Sequence, residues 1–386
     1  MPNSLKDNRI FGLDILRSVA ILLVLYYHSR SLLAGFFQFR LFSNFIAFSD
    51  LTGVFGVEIF FALSGFLIGR IIIKDCLSDN YKFRTVITFW IKRWCRTLPL
   101  YYILLGITFF VWKYFYNTQF DISYLFFLQN MFGIRPDFFA ESWSLSIEEW
   151  SYILIPLFLF ISRLLIKMNR KNLFKLLLAY LLLCLLYKIY ILKALGISVY
   201  NIESLRTIVV FRLDAIIYGI IAAFIYKYTS FYSRHYKLIM IFSIIFMIFN
   251  YVVIRLSYAP FYLSKIELYN MYVNYCALSF TNISVALLVP CMMIVTFERV
   301  SLFFKKGVTF ISKISYSIYL THYSLIFVPF FKHLAPQTIL KSFLYFCYYI
   351  LIVIVLSAIT YQVIEKTFIQ LRDTLIERIN RVLQKV

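Results

Sequence analysis

Residues 11–33 read FGLDILRSVAILLVLYYHSRSLL. The run is apolar for long enough to cross a bilayer, which takes ~20 residues. It nevertheless carries Asp14, Arg17 and His28. Charged groups within a membrane are costly and turn toward protein rather than lipid, so this helix belongs to a bundle with a polar interior. Arg17 and His28 stand about 11 positions, or three helical turns, apart, which places them on one face with roughly 16 Å between them along the axis. Asp14, three residues before Arg17, has the spacing of a local ion pair. No small-residue cleavage site closes the run, so it reads as a first membrane helix rather than a removable leader.

The rest of the chain extends that reading. Of its 386 residues, 62% are hydrophobic and only 15% charged, and Phe and Tyr supply 43 and 31. No water-soluble core needs so much apolar surface, so the solvent is lipid. Further candidate spans lie at 53–74, 96–116, 146–166, 173–193, 206–227, 236–256, 275–297, 309–331 and 339–364. The expected fold is therefore an all-α integral membrane protein, a bundle of about ten transmembrane helices. One membrane domain occupies 1–372, and 373–386 form a short basic tail. The apolar stretch at 120–132 is too brief to cross and reads as interfacial or re-entrant.

A net charge of +21 could point to nucleic acid, but the basic residues sit in short clusters between apolar runs. With both termini placed in the cytoplasm, 26 of the 39 Lys and Arg fall at or near inner segments and 11 at outer ones. The remaining two, Arg70 and Arg212, are counted with neither side. Positive charge favours the inner side, so both termini are expected in the cytoplasm of a multi-pass protein of the cell's inner or plasma membrane. The bilayer, and no nucleic acid, is the partner this composition implies. Six scattered Cys give neither a disulfide framework nor a zinc-ligand pattern, so no metal is expected.

Polar residues in the remaining spans mark a site. Glu58 lies near the outer start of the second span, Arg212 and Asp214 near that of the sixth, and His322 in the outer half of the ninth. With His28 they are five ionisable groups from four helices at similar depth, which predicts one polar pocket opening outward. Residues 141–150, ESWSLSIEEW, open the fourth span at the same face. Ser146 and Glu149 have the spacing of a capping box; Glu148 points about 100° away and is free for another role. On the inner side Lys92-Arg93-Trp94-Cys95-Arg96 follows Lys82 and Arg84. Arg93 and Arg96, three apart, face one way on a helix and are able to fork around phosphate oxygens. Attraction to anionic lipid explains Lys82 and Arg84 equally well.

In this order the segments resemble the integral membrane O-acyltransferases of acyltransferase family 3. Gly12 to Arg17 with His28 is similar to the family's opening motif, a basic residue ten residues before a His. Gly56 to Ile68 (GVEIFFALSGFLI) is similar to its second-helix signature, Arg93 and Arg96 to its cytoplasmic arginine pair, and Trp143 to Tyr152 (WSLSIEEWSY) to its most recognisable block. Phe211 to Ala215, Ser315 to His322, and Val363-Ile364-Glu365-Lys366 resemble later signatures. Thr321 stands where many members carry Trp, and the hydrolase-like domain of some relatives has no counterpart among these segments. Direct transfer to an acceptor or a separate partner is expected.

The resemblance implies transfer of an acyl group, most often acetyl, from acetyl-CoA as donor substrate to a hydroxyl of a carbohydrate or glycolipid acceptor. Arg93, Arg96 and Lys92 are expected to hold the phosphates of coenzyme A, with Arg17 deeper along the arm. His28 is the expected base, because imidazole titrates near neutrality. Glu148 would orient it and Glu149 stand beside it, while Arg212, held by Asp214, would stabilise the oxyanion. Asp14, Glu58, Trp143, Tyr316 and His322 are expected to line the substrate pocket. Direct transfer and an acyl-histidine intermediate both remain open. A secondary transporter is the alternative reading, though internal repeats and paired broken helices, its usual marks, are absent from the sequence.

Overall fold

The computed structural model describes residues 9–36, 49–133, 138–194, 202–256, 272–334, 336–372 and 374. Ten main helices follow one another: α1 Phe11–Ser29, α2 Thr52–Cys76, α3 Phe83–Tyr116, α4 Trp143–Leu165 and α5 Arg170–Ala194. Next come α6 Ile217–Tyr228, α7 Phe231–Leu256, α8 Ala277–Ile294, α9 Leu302–Thr321 and α10 Ile339–Thr360. No strand occurs among the described residues. Among the described residues, eight helical segments are long and apolar enough to cross a membrane; α6 is shorter, and α9 carries Lys305, Lys306 and Lys313. The protein is thus an all-α, multi-pass membrane bundle, and each of the ten expected spans overlaps one of these helices, the sixth and ninth only in part. The expected tail at 373–386 lies outside the described residues apart from Thr374.

The central helix is α2, which packs on α1, α6 and α8. Its glycines set those distances. A Cβ on Gly65 would lie 2.1 Å from the Ile216 carbonyl oxygen, and one on Gly219 would lie 2.4 Å from that of Ala62. Lipid tails are as apolar as leucine, so helices associate in a membrane through such close backbone contact. Helices α5, α7 and α10 form the periphery and turn Leu182, Leu186, Phe242, Ile245, Leu344 and Leu351 outward.

Three sequence expectations change. The sixth span is broken: Ile202–Thr207 is a short helix, Val209–Phe211 a 3₁₀ turn, and the regular helix begins only at Ile217. The interruption falls at Arg212 and Asp214 and is paired by the 120–132 stretch, since the amides of Val209 and Val210 donate to the carbonyls of Asn130 (3.0 Å) and Met131 (3.3 Å). Irregular backbone survives in a membrane only where protein satisfies it in this way. The basic segment after α2 is helical rather than a loop: α3 starts at Phe83 and runs through Arg93 and Arg96. Finally, α4 starts at Trp143, so Ser146 lies inside the helix, accepting from Gln129 Nε2 at 2.8 Å, and does not cap it.

The α2–α6 contact yields a paired test. Gly219→Ala overpacks the crossing and is expected to cost about 1–3 kcal/mol. Gly106→Ala, with open space around its Cβ position, should be neutral or gain about 1 kcal/mol of helix propensity. Thermal unfolding of the purified variants in detergent reads both, and equal melting temperatures would refute the close crossing.

Candidate active site

The basic end of the bundle encloses a cavity of about 710 Å³ between the end of α2, the start of α3 and the segment after α10. Lys82, Arg84, Lys92, Arg93, Arg96 and Arg372 line it, opposed by one acid, Asp75. A concave surface of one charge sign raises the local concentration of an oppositely charged ligand. Arg93 and Arg96 share a helical face, as their spacing predicts. Arg372 arrives from the far end of the chain, and nothing in the sequence announces it.

A second chamber of about 180 Å³ continues inward and shares Ile68, Ile71, Arg93 and Arg96 with the first. Arg17 on α1, Ser64 on α2, Glu148 and Glu149 on α4, and Tyr316 on α9 line it. Arg93 Nη2 donates to the Tyr152 hydroxyl (2.6 Å) and lies 3.3 Å from Glu148 Oε2, while its guanidinium covers the Tyr152 ring at 4.3 Å. Glu148 also accepts from Ser64 Oγ (2.9 Å) and Tyr152 Oη (3.0 Å). Buried Glu149 accepts from Trp94 Nε1 (3.0 Å) and Thr97 Oγ1 (3.1 Å). Both carboxylates therefore fasten the arginine-bearing turns of α3 to α4, and the expected pairing of Glu148 with His28 is not formed. Tyr316 donates to the Thr97 carbonyl at 2.8 Å and fixes the same turn from α9.

Asp14 also has partners other than those expected. It takes the guanidinium of Arg9 (2.7 Å) and the hydroxyl of Ser312 (2.6 Å), tying α1 to α9 while Arg17 lines the second chamber. Glu365, quoted above without a role, is buried in the π-helical turn Tyr361–Glu365, where it accepts from Ser317 Oγ at 3.1 Å. It is within electrostatic range of Arg96 and Arg17, a negative group against the arginine cluster.

Beyond the second chamber lies a pocket of only about 10 Å³ containing His28 and His322, whose ring centroids are 5.1 Å apart. Tyr323 stands 4.1 Å from the His28 ring. Helix α9 widens there into the π-helical turn His322–Phe327, a distortion frequent at functional sites. His322 is fully buried, with Nδ1 2.8 Å from the Tyr319 carbonyl. A carbonyl accepts only, so Nδ1 carries the proton and Nε2 is left as an acceptor, with no hydrogen-bond partner among the described residues. Trp143, Glu141 and Arg206 complete the wall. The Arg206 guanidinium lies 4.9 Å over the Trp143 ring. Glu141 accepts from the hydroxyl (2.5 Å) and amide (3.2 Å) of Ser324, bracing the π turn. Sequence reasoning quoted Glu141 but gave it no part, and passed over Arg206; only the fold brings them to the histidines.

Glu58, Arg212 and Asp214 do not line this pocket. Arg212 Nη2 clasps both oxygens of Glu58 at 2.6 and 2.8 Å, and both side chains are about 99% buried, with side-chain exposures of 1%. The Asn282 amide joins them, its nitrogen toward Glu58 and its oxygen toward Arg212. Asp214 accepts instead from Ser279 (2.9 Å) and Tyr218 (3.2 Å). The expected Asp214–Arg212 pair is thus replaced by a Glu58–Arg212 pair bolting α2 to the broken sixth span. A buried carboxylate in lipid-surrounded protein requires a cation, and that requirement holds Arg212 at Glu58 and away from the histidine pocket. Among the described residues no three His, Cys, Asp or Glu side chains gather as metal ligands.

Residues 10–362 match a family model described as an acyltransferase domain. Over 175 residues the chain is 32% identical to "Putative peptidoglycan O-acetyltransferase YrhL" of Bacillus subtilis, covering 40% of this chain and 24% of that protein. Over 169 residues it is 28% identical to peptidoglycan O-acetyltransferase OatA of Listeria monocytogenes, covering 39% and 24%. The chain therefore aligns with about a quarter of the length of these relatives. No solved structure matches.

The buried pair is testable as architecture. Glu58→Leu leaves a buried guanidinium alone and should cost about 3–5 kcal/mol. The double change Glu58→Leu with Arg212→Met should recover most of that loss, read as melting temperature in detergent. A double variant no more stable than the single one would contradict the assignment.

Proposed function

The chain belongs to this acyltransferase family, and on that premise we propose that it transfers an acetyl group from acetyl-CoA to a glycan hydroxyl outside the membrane. The observation that carries the reading is the series of three cavities, each sharing wall residues with the next: cationic, then mixed, then histidine-lined. Acetyl-CoA has the same order of parts, an anionic nucleotide head, a long uncharged arm and a terminal thioester. Arg93, Arg96 and Arg372 hold the phosphates at the cytoplasmic face, with Lys82, Arg84 and Lys92 adding to the field. Arg17 meets the arm where it enters the second chamber. The roughly 16 Å rise along α1 then brings the thioester to His28.

His28 removes the proton of the acceptor hydroxyl as its oxygen attacks the thioester carbonyl. The new C–O bond forms, the C–S bond breaks, and the imidazolium returns its proton to the departing thiolate. A base of this kind contributes about 10²–10⁴-fold. His322, with Nε2 open as an acceptor, orients the hydroxyl toward the carbonyl. Arg206, rather than Arg212, brings positive charge to the oxygen that becomes negative in the tetrahedral intermediate. Glu148, Glu149 and Tyr316 act through the turns of α3 that they hold and are positioning residues. The relatives' names favour peptidoglycan as acceptor; such a substrate suits the plasma membrane as location, and the positive-inside distribution favours the basic end inside.

Expression in cells lacking their own envelope O-acetylation tests the reading. Wild-type protein should restore alkali-labile acetate to isolated peptidoglycan, and His28→Ala at equal membrane level should lower it at least 100-fold. Equal acetate from both would remove His28 from catalysis. In isolated membranes, Arg93→Ala and Arg96→Ala should raise KM for acetyl-CoA about tenfold or more, whereas Arg206→Gln should lower kcat chiefly. The reverse pattern would exchange the two assignments.

A further inference from the structure

The second chamber and the histidine pocket share two wall residues, Val57 on α2 and Tyr319 on α9. We propose that these side chains form a gate on acyl length, admitting a two-carbon acyl group to His28 and excluding longer ones. The proposal rests on the acyl-transfer reading above and adds to it the residues that select the donor.

Three observations carry it. The space falls from about 180 Å³ before the two residues to about 10 Å³ beyond them, room for roughly one water-sized group. A methyl group is that size, whereas each further methylene of a longer chain presses on the aromatic walls of Tyr27 and Trp143. Tyr319 is fixed: its hydroxyl accepts from Ser144 Oγ at 2.7 Å and donates to the Glu141 carbonyl at 3.1 Å, so turning the ring aside breaks two buried hydrogen bonds. Val57 is equally constrained. A β-branched side chain in a helix keeps one χ1 rotamer, and its backbone has no room to retreat. A Cβ on Gly53 would lie 2.6 Å from the Tyr27 ring, and one on Gly56 2.6 Å from the Ala20 carbonyl oxygen. Helix α1 packs on both α2 and α9, so the width of the throat is set by packed helices.

The chemistry of transfer is the same for every acyl thioester, since one C–S bond is exchanged for one C–O bond, and therefore selection between donors falls to space. A single methylene in a fitted apolar pocket discriminates by roughly 10–200-fold. The test uses inside-out membrane vesicles from expressing cells, which carry their own envelope glycan, supplied with labelled acetyl-, propionyl- or butyryl-CoA. Alkali-labile label is then counted. Wild type should transfer propionyl at least tenfold more slowly than acetyl, and butyryl more slowly again. Val57→Ala should raise the propionyl-to-acetyl ratio about tenfold, and Val57→Ile should lower transfer of acetyl itself. Wild type that accepts butyryl as readily as acetyl would overturn the gate while leaving acyl transfer intact. So would ratios within twofold of wild type in both variants. Vesicles that transfer none of the three groups would instead overturn the acyl-transfer reading, and the gate with it.

Discussion

Glu58 and Arg212 form the contact on which the rest of the architecture turns. Two opposite charges, withdrawn from both water and lipid, compensate each other, with the Asn282 amide and the Phe61 ring beside them. Desolvation of such a pair is expensive, and only Nη2 of Arg212 reaches Glu58, so a shift of either helix that opened this contact would expose the full cost. The pair therefore fixes how α2 lies on the sixth span. It also explains why that span is not a simple helix. Bringing Arg212 to Glu58 interrupts the backbone, and the freed amides of Val209 and Val210 need acceptors, which Asn130 and Met131 supply. A short stretch too brief to cross the membrane thereby becomes a structural part of the bundle.

The same constraint sorts the remaining charges. Three of the acids near the inner chamber are matched to protein donors: Asp14 to Arg9 and Ser312, Glu149 to Trp94 and Thr97, Glu148 to Arg93, Ser64 and Tyr152. These bonds consume the acids as fasteners and leave cations lining the chambers. The result is a cavity wall in which cations outnumber acids, and Glu148 and Glu149 are held by protein donors, as suits an anionic ligand.

Much of this was legible in the sequence and some was not, for physical reasons. The helices were readable because hydropathy and length alone decide whether a segment suits lipid. The common face of Arg17 and His28, and of Arg93 and Arg96, was readable because helical periodicity determines it locally. Partner choice was not. Depth along a helix is a one-dimensional coordinate, and it placed His28, His322, Glu58, Arg212 and Asp214 at one level. Rotation about each axis then divides them between a histidine pocket and a packing contact. Similarly, Ser146 and Glu149 satisfy a capping pattern, but the helix starts three residues earlier, where Trp143 is already packed inside. Arg206 and Glu141 stand in the short helical pieces Ile202–Thr207 and Ala140–Ser142, whose position only tertiary structure determines.

The two histidines illustrate how local distortion and chemistry meet. A regular α-helix through 322–327 would retain each amide on the carbonyl four residues back. The π turn widens that register, and Glu141 occupies the disturbed region by accepting from both groups of Ser324. The Tyr319 carbonyl, one turn back, takes Nδ1 of His322 and so selects the tautomer in which Nε2 carries the free lone pair. Thus the carbonyl that orients the imidazole and the hydroxyl that narrows the throat belong to one residue, Tyr319, whose ring is held by Ser144. Width of passage and orientation of the second histidine are consequently coupled through a single side chain and its own backbone. A change that frees the Tyr319 ring is therefore expected to disturb proton placement as well as space, and the smaller Val57 is the cleaner place to alter space alone.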